Sequence, residues 1–273
     1  MDIALGQYCE GDSLLHRLDP RAKLIISILF IVVIFMAKNV FALALVTLVS
    51  LALVALSRIS LRIVVRGLKP ILFIALFTAV INIFWVRGDH PLVEFGIIRI
   101  YREGIINASM IILRIIVLLV STSMLLTYTT TPLSLTDGLE QLLRPLSKIG
   151  VPVHDFSMMM TIALRFIPTL IEETEKIMNA QKARGADFST GGLIRRAKAL
   201  IPIIIPLFVS AFRRANDLAT AMECRCYTGG EGRTRMNTLH THPRDYICGC
   251  AVVLVGAAVV VLNRYAPGYR IPF

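Results

Sequence analysis

Residues 40–57 read VFALALVTLVSLALVALS, a stretch without one charged side chain. A helix needs about 20 mostly apolar residues, and at least about 17, to cross the hydrocarbon core of a bilayer. This stretch therefore predicts a membrane-spanning helix.

The same character recurs elsewhere in the chain. Apolar residues make up 56% of the sequence and charged residues 17%, against about a quarter in a typical soluble domain. We expect an all-α, polytopic membrane protein with about five transmembrane helices, the other four being Ala22 to Ala37, Pro70 to Val86, Gly104 to Thr127 and Tyr246 to Asn263.

The chain is strongly basic, with 29 Lys and Arg against 18 Asp and Glu. In so apolar a chain, this excess favours contact with the anionic cytoplasmic leaflet or an acidic protein over nucleic acid. No secretory cleavage site precedes the first apolar stretch, so we expect insertion without processing. The five cysteines form no disulfide framework, which favours reduced thiols.

The basic residues also predict orientation. Fifteen of them lie in residues 128–245, whereas only three lie in the 87–103 connection. Because cytoplasmic connections carry the excess of Lys and Arg, the N-terminus is predicted inside and the C-terminus outside. The predicted domains are an N-terminal membrane region with four spans (1–127), a cytoplasmic helical coupling domain (128–245), and a final span with an outer tail (246–273).

Two connections have patterns of their own. Arg58, Arg62 and Arg66 recur every four residues and share one helical face, which predicts an interfacial helix on the inner leaflet. Val93 to Tyr101 has Gly96 between two short β-prone runs and predicts a small hairpin.

The start of the first apolar helix is also marked. Asp19 suits a helix N-cap and Pro20 suits the first helical position. We expect the nearby basic residues Arg17, Arg21 and Lys23 to lie at the membrane surface.

Residues 128–245 are too charged to be predicted as a span, yet they contain strongly apolar helical stretches. Helices are predicted over Thr136 to Lys148, over Asp155 to Ala183, and from the Gly191-Gly192 pair to about Cys226. Such apolar helices are expected to pack against another surface, because a large apolar surface rarely stays exposed to water.

The second and third of these helices end alike. One ends in Ala180-Gln-Lys-Ala-Arg184-Gly185, and the other, 41 residues later, in Ala221-Met-Glu-Cys-Arg225-Cys226, with Gly229-Gly230 as the following turn. One interpretation is local, since a basic residue in the last turn meets the negative end of the helix dipole and Gly185 stops the helix. The other is that each guanidinium projects into an acidic groove of a partner and makes bidentate bonds that Lys cannot.

Several pieces of sequence in this order and spacing carry a family resemblance: Leu5-Gly-Gln-Tyr8, Gly11-Asp-Ser-Leu-Leu-His-Arg-Leu-Asp-Pro-Arg21, Leu164-Arg-Phe-Ile-Pro168 leading to Ala183-Arg184-Gly185, and Ile201-Pro202 leading to Glu223-Cys-Arg225-Cys226. The chain resembles the transmembrane T component of energy-coupling factor (ECF) transporters. The resemblance spans nearly the whole chain.

The resemblance implies a non-catalytic subunit that links two ABC-type ATPases, of A and A′ type, to one substrate-binding membrane S component of a vitamin or micronutrient importer. It implies that Arg184 and Arg225 are central to two ATPase-coupling motifs, with the flanking residues Ala183, Gly185, Cys224 and Cys226. The two cysteines depart from the family pattern, which has small residues there. No cofactor is expected in this chain, since ATP would be bound by the partners.

Three further residues are candidates for subunit contacts. Arg114 lies near the middle of a predicted span, where a charge is expensive, so we expect it to face the bundle or a subunit interface. Asn82 is its candidate partner, although it could equally bond a local carbonyl. Met158 and Met159 could form an adaptable docking surface or simply pack within the helix pair.

Two alternatives remain open at this point. One is a conventional ABC importer permease that forms its own pore as a homodimer. Another is a metal site or metal-dependent intramembrane enzyme built on Cys224, Cys226, His240 and His242, although their spacing departs from common zinc patterns. An ATPase is disfavoured, because none of the seventeen glycines is followed by Lys as a Walker A motif requires.

Overall fold

The computed structural model describes residues 8–9, 11–85, 91–95, 98–186, 188, 192–229, 239 and 241–265. The described elements are α1 (Pro20–Met36), α2 (Val40–Ser57), α3 (Leu61–Trp85), β1 (Pro91–Phe95), β2 (Ile98–Tyr101), α4 (Arg102–Thr122), α5 (Pro132–Leu143), α6 (Val153–Ala183), α7 (Leu193–Cys224) and α8 (Pro243–Tyr265). A π-helical turn, Ser123–Thr127, extends α4, and a 3-10 segment, Arg144–Ile149, extends α5. The predicted all-α membrane fold is confirmed.

One compact unit comprises Met1–Leu139 and Leu239–Phe273, and its core lies where α1, α2, α4 and α8 meet. The side chains that fill this core are apolar and almost fully buried: Phe30, Val33, Ile34, Ala42, Val46, Val117 and Val259. At the start of α1, Asp19 accepts a hydrogen bond from the Arg21 amide at 2.9 Å, and Pro20 occupies the first turn. The predicted N-cap is therefore confirmed.

Helix α3 bends by 56° between its arms Arg62–Lys69 and Ile71–Phe84. The break falls at Pro70, and a proline cannot donate the amide hydrogen bond that a continuous helix requires. The arms correspond to the predicted interfacial helix and the predicted third span, except that Arg58 precedes α3 as the C-cap of α2 and so does not share a helical face with Arg62 and Arg66. Beyond α3, β1 and β2 pair in antiparallel fashion, which confirms the predicted hairpin.

Within the part of the chain that the structure describes, four helical segments are able to cross a membrane by length and composition: Val40–Ser57, Arg102–Thr127, Ala197–Cys224 and Pro243–Tyr265. The bent α3 would make a fifth. Helix α1 has 17 residues, at the lower limit of spanning length. No span was predicted within Ala197–Cys224, but its apolar residues fall within one continuous helix that is long enough to cross a membrane even though the segment also contains charged residues.

The second compact unit is Glu140–Thr238, and it contains α6 and α7 packed against each other. The unit begins within α5, inside the predicted coupling domain of residues 128–245. The first part of α5 belongs to the other unit, because it packs closely against the start of α1. At Gly138 the two segments are so near that an added Cβ atom would lie only 3.1 Å from the Cβ atom of Pro20. This close approach holds α5 against the start of α1.

Candidate functional site

Helix α6 ends in a Schellman motif at the first predicted coupling arginine. The Gly185 amide donates to the Lys182 carbonyl at 2.9 Å, and the Ala186 amide donates to the Gln181 carbonyl at 3.0 Å. Gly185 has a φ of +86°, the left-handed conformation that this motif requires. Arg184 is thereby fixed as the cap residue, at the last turn of the helix.

Helix α7 ends in the same motif at the second arginine. The Cys226 amide donates to the Glu223 carbonyl at 2.8 Å, and the Tyr227 amide donates to the Met222 carbonyl at 3.0 Å. Arg225 is the cap residue here, at the position that corresponds to Arg184. The two ends therefore repeat in backbone geometry as well as in sequence.

The turn that stops α7 differs from the sequence prediction. Cys226 itself has a φ of +54° and occupies the place that Gly185 has in α6, so the helix turns before Gly229. Gly230, the other member of the predicted turn, lies outside the described residues. A left-handed conformation costs a residue with a Cβ atom about 1–2 kcal/mol relative to glycine. The backbone at Cys226 is therefore strained.

All six predicted coupling residues are exposed: Ala183, Arg184, Gly185, Cys224, Arg225 and Cys226. Neither Arg184 nor Arg225 forms an ion pair with a described acidic side chain. Both guanidinium groups are thus available to a partner, although each also lies at the negative end of its own helix dipole.

A polar cluster ties the two long helices together. Glu173 of α6 accepts hydrogen bonds from the hydroxyl of Ser210 and, at 3.1 Å, from the Nη2 atom of Arg214, both on α7. Beside it, a largely apolar cleft of about 260 Å³ is lined by α6 and α7 side chains that include Phe166, Leu170, Ala215 and Met222. The pair is therefore held by apolar packing and by a charge-assisted bridge.

The bridge depends on the ionised carboxylate of Glu173. The hydrogen bond from Ser210 and the positive charge of Arg214 lower the pKa of Glu173 below its usual value. The bridge is accordingly complete at neutral pH and is lost in acid as the carboxylate becomes protonated.

The α6–α7 unit carries a large apolar surface. Met159 is 58% exposed and Met158 is partly buried, and Phe156, Phe208 and Phe212 are each more than half exposed within this unit. Phe208 and Phe212 lie one turn apart on α7 with ring centroids separated by 4.7 Å. An apolar surface of this size is rarely exposed to water, so it is expected to contact lipid or another protein.

Arg114 of α4 contacts the backbone of the bundle. Its Nη2 atom donates to the Ala37 carbonyl at the C-terminus of α1, at 2.6 Å, while its buried Nε atom has no partner among the described residues. Asn82 bonds locally, donating to the Thr78 carbonyl at 3.0 Å, which is the second of the two options considered for it. Arg114 and α1 thus meet at the turn that leads into α2.

The described residues hold no cluster of three or more metal-ligating side chains. Cys224 and Cys226 are free, exposed thiols. His240, which the metal hypothesis also needs, lies outside the described residues. The backbone amide of His242 donates to the Asp245 carboxylate at 2.8 Å, so it is the Asp245 side chain that caps the start of α8.

Sequence reasoning misjudged the position of Lys23. It is 2% exposed rather than at the membrane surface, and its ammonium group donates to the Thr129 carbonyl at 2.8 Å and the Thr130 hydroxyl at 3.2 Å. The negative charges of Asp245 and Asp19 attract the ammonium group of Lys23. The Asp19 amide also donates a hydrogen bond to the Asp245 carboxylate at 3.0 Å. This polar cluster joins the starts of α1 and α8 to the segment after α4.

The sequence signal that could have pointed to this cluster is the pair of acidic residues, Asp19 and Asp245, each placed directly before an apolar stretch. Only the fold brings them to the same lysine, because they lie 226 residues apart.

Comparison with known proteins adds independent findings. The CbiQ family, described as cobalt transport protein, matches residues 11–236. Curated relatives named energy-coupling factor transporter transmembrane protein EcfT include those of Clostridium kluyveri, 51% identical over 96% of this chain and 97% of the relative, and Brevibacillus brevis, 53% identical over 95% and 97%. The relative of Bacillus subtilis is 46% identical over 96% of this chain and 98% of its own length.

Proposed function

The chain belongs to the family of energy-coupling factor transporter transmembrane proteins, and from this premise we propose that it joins two ABC-type ATPase subunits, of A and A′ type, to one substrate-binding S component. As a member it is a multi-pass membrane subunit of such a transporter. The specific partners, their number and the coupling mechanism are our proposal.

The observation that carries the proposal is the repeated helix end. Arg184 and Arg225 occupy equivalent cap positions in two Schellman motifs, both exposed and both at the ends of helices that pack together. A planar guanidinium makes bidentate, charge-assisted hydrogen bonds to carboxylates. Two such groups on one chain suit two acidic grooves, one on each ATPase.

Transmission along the helices follows from their length and from the bridge between them. Helices α6 and α7 have 31 and 32 residues. At about 1.5 Å per residue, each extends roughly 45 Å from its capped end. Glu173, Ser210 and Arg214 tie the two helices side by side, so a displacement at Arg184 or Arg225 moves the pair as a unit. ATP binding and hydrolysis by the partners would supply that displacement, with no cofactor in this chain.

The other end of the transmission is the apolar surface of α6 and α7. Met159, Phe208 and Phe212 offer the adaptable, unpartnered surface on which a membrane-embedded S component would pack. Movement of the helix pair would then reorient that subunit and its vitamin or micronutrient substrate. The proposal places the N-terminus in the cytoplasm and the C-terminus outside, in agreement with the distribution of basic residues.

The test is a pull-down of the tagged chain in mild detergent, with intact-complex mass measurement. The variant Arg184→Glu/Arg225→Glu reverses both cap charges and should lose both ATPase subunits while retaining the S component. The matched control, Arg165→Glu/Arg213→Glu, makes the same charge change at exposed positions within the same two helices.

Retention of both ATPases by the cap variant, or equal loss from the control, would contradict the proposed role of the cap arginines. A homodimer of this chain without an S component would instead support the conventional permease.

A further inference from the structure

The junction between α2 and α3 has an unusual backbone. Arg58 is the C-cap of α2 and adopts a left-handed conformation with a φ of +55°. Glycine is the residue that normally occupies such a position without strain. An arginine in this strained position indicates that its side chain has a function, because strained backbone conformations cluster at functional sites.

Two cavities adjoin this arginine. One, of about 240 Å³, lies between the N-terminal segment and the junction and is lined by polar groups that include His16, Ser57 and Ser60. The other, of about 380 Å³, is lined by Arg17 and by the apolar Leu14 and Leu56. Arg58 lines both of them, together with Asp12 and Ser13.

The charges around these cavities do not balance. Asp12, the one acid among the lining residues, is paired with Arg17, with 3.5 Å between its Oδ1 atom and the arginine Nη2 atom. The guanidinium of Arg58 has no acceptor among the described residues, and Arg62 is exposed in the first turn of α3. The site therefore keeps positive charge that a bound anion would neutralise.

The position of the site along the bilayer normal indicates which kind of anion it binds. Helix α2 has 18 residues, and its end is the end of an apolar span. At about 1.5 Å per residue the helix covers roughly 27 Å, close to the thickness of a bilayer hydrocarbon core. Arg58, the next residue, thus lies at the level of lipid headgroups, where phosphodiesters are the abundant anions.

We propose that the Arg58 cavities bind the phosphodiester of an anionic phospholipid. The guanidinium of Arg58 donates to two phosphate oxygens, and the hydroxyl of Ser60, which has no hydrogen-bond partner among the described residues, supplies a further donor. Leu14 and Leu56, 57% and 48% exposed, contact the glycerol and first acyl carbons. This inference is independent of the proposed ATPase coupling, because it involves the other compact unit.

The proposal is tested by native mass spectrometry of the detergent-solubilised full chain titrated with dioleoyl phosphatidylglycerol, dioleoyl phosphatidylcholine or inorganic phosphate. We expect phosphatidylglycerol to bind with one preferred stoichiometric site, and Arg58→Gln to weaken that site about tenfold or more, as expected for loss of hydrogen bonds to a charged group. Arg66→Gln is the matched control, since Arg66 is exposed on the same connection and lines neither cavity.

A second variant separates binding from folding. Arg58→Gly removes the guanidinium and relieves the left-handed backbone, so it should unfold at the same or a higher temperature than the wild type and still lose the lipid. Equal weakening by Arg58→Gln and Arg66→Gln would overturn the proposal in favour of delocalised charge attraction. Competition by millimolar inorganic phosphate would assign the site to a free anion, and equal binding of phosphatidylcholine would overturn its preference for anionic lipid.

Discussion

Replacing Lys23 by Met should destabilise the membrane unit strongly. Lys23 is 2% exposed. Its ammonium group donates hydrogen bonds to the Thr129 carbonyl and the Thr130 hydroxyl, and a longer one of 3.4 Å to the His16 carbonyl. Met preserves much of the side-chain volume but donates nothing. Removing one partner from a buried charged cluster costs about 3–5 kcal/mol, because the remaining groups stay buried without compensation.

The measurement is the free energy of unfolding in a reversible detergent titration followed by circular dichroism. The matched control is Lys69→Met, the same substitution at an exposed position of α3, which should change stability by less than about 0.5 kcal/mol. A cost for Lys23→Met below about 1 kcal/mol would refute the reasoning, because so small a loss is typical of one solvated hydrogen bond.

Coupling to Asp245 can be measured separately. In a double-mutant cycle of Lys23→Met and Asp245→Asn, we expect the two losses to differ from additivity by more than about 0.5 kcal/mol, since both groups belong to one buried cluster. Strict additivity would mean that Asp245 acts only through its hydrogen bonds to the Asp19 and His242 amides and not through the charge of Lys23.

Three further outcomes are expected. Cys226→Gly should raise the free energy of unfolding by about 1 kcal/mol and Gly185→Ala should lower it by a similar amount, because both positions require a left-handed backbone. Thermal unfolding measures both changes. If the two variants do not shift the unfolding temperature in opposite directions, the two helix ends do not share the same motif. Since the pKa of Glu173 is lowered in the folded state, its stabilising effect is present above the ordinary carboxyl pKa of about 4.3 and disappears as the pH falls through the lower folded value. The unfolding free energy of Glu173→Gln should therefore depend less on acid pH than that of the wild type, and identical pH profiles would exclude the bridge. Arg114→Leu should cost about 1–3 kcal/mol in the same detergent titration, because the Ala37 carbonyl loses its donor, and a neutral result would place Arg114 outside the stabilising contacts.

The membrane fold was largely predictable because its signals are local. Apolar runs long enough to span, the Asp19 cap and the hairpin of β1 and β2 each depend on residues close in sequence. The apolar part of α7 was harder to interpret, since composition alone cannot separate a helix that crosses lipid from one that packs on another subunit.

The buried cluster at Lys23 was not predictable, because its partners come from three separate parts of the chain. A lysine three residues into a helix has the local pattern of a membrane-surface anchor, and only the position of Thr129 and Asp245 in the fold makes it a buried donor. The coupling residues fall between these cases. Their sequence repeat was visible, whereas the left-handed stop at Cys226 was assigned to the wrong residues because glycine is the usual signal for that conformation.

The strain at Cys226 bears on the two interpretations of the helix ends. If Arg225 served only to cap α7, glycine at the next position would give the same motif without a conformational cost, as Gly185 does after Arg184. Instead the chain keeps an exposed thiol in a left-handed backbone directly beside the arginine. Strain of this kind is characteristic of functional sites, where a side chain is retained for what it contacts rather than for what it stabilises. The cysteine therefore favours a partner that touches both Cys226 and Arg225, so that Cys226→Gly should stabilise the isolated chain and weaken its association with one ATPase.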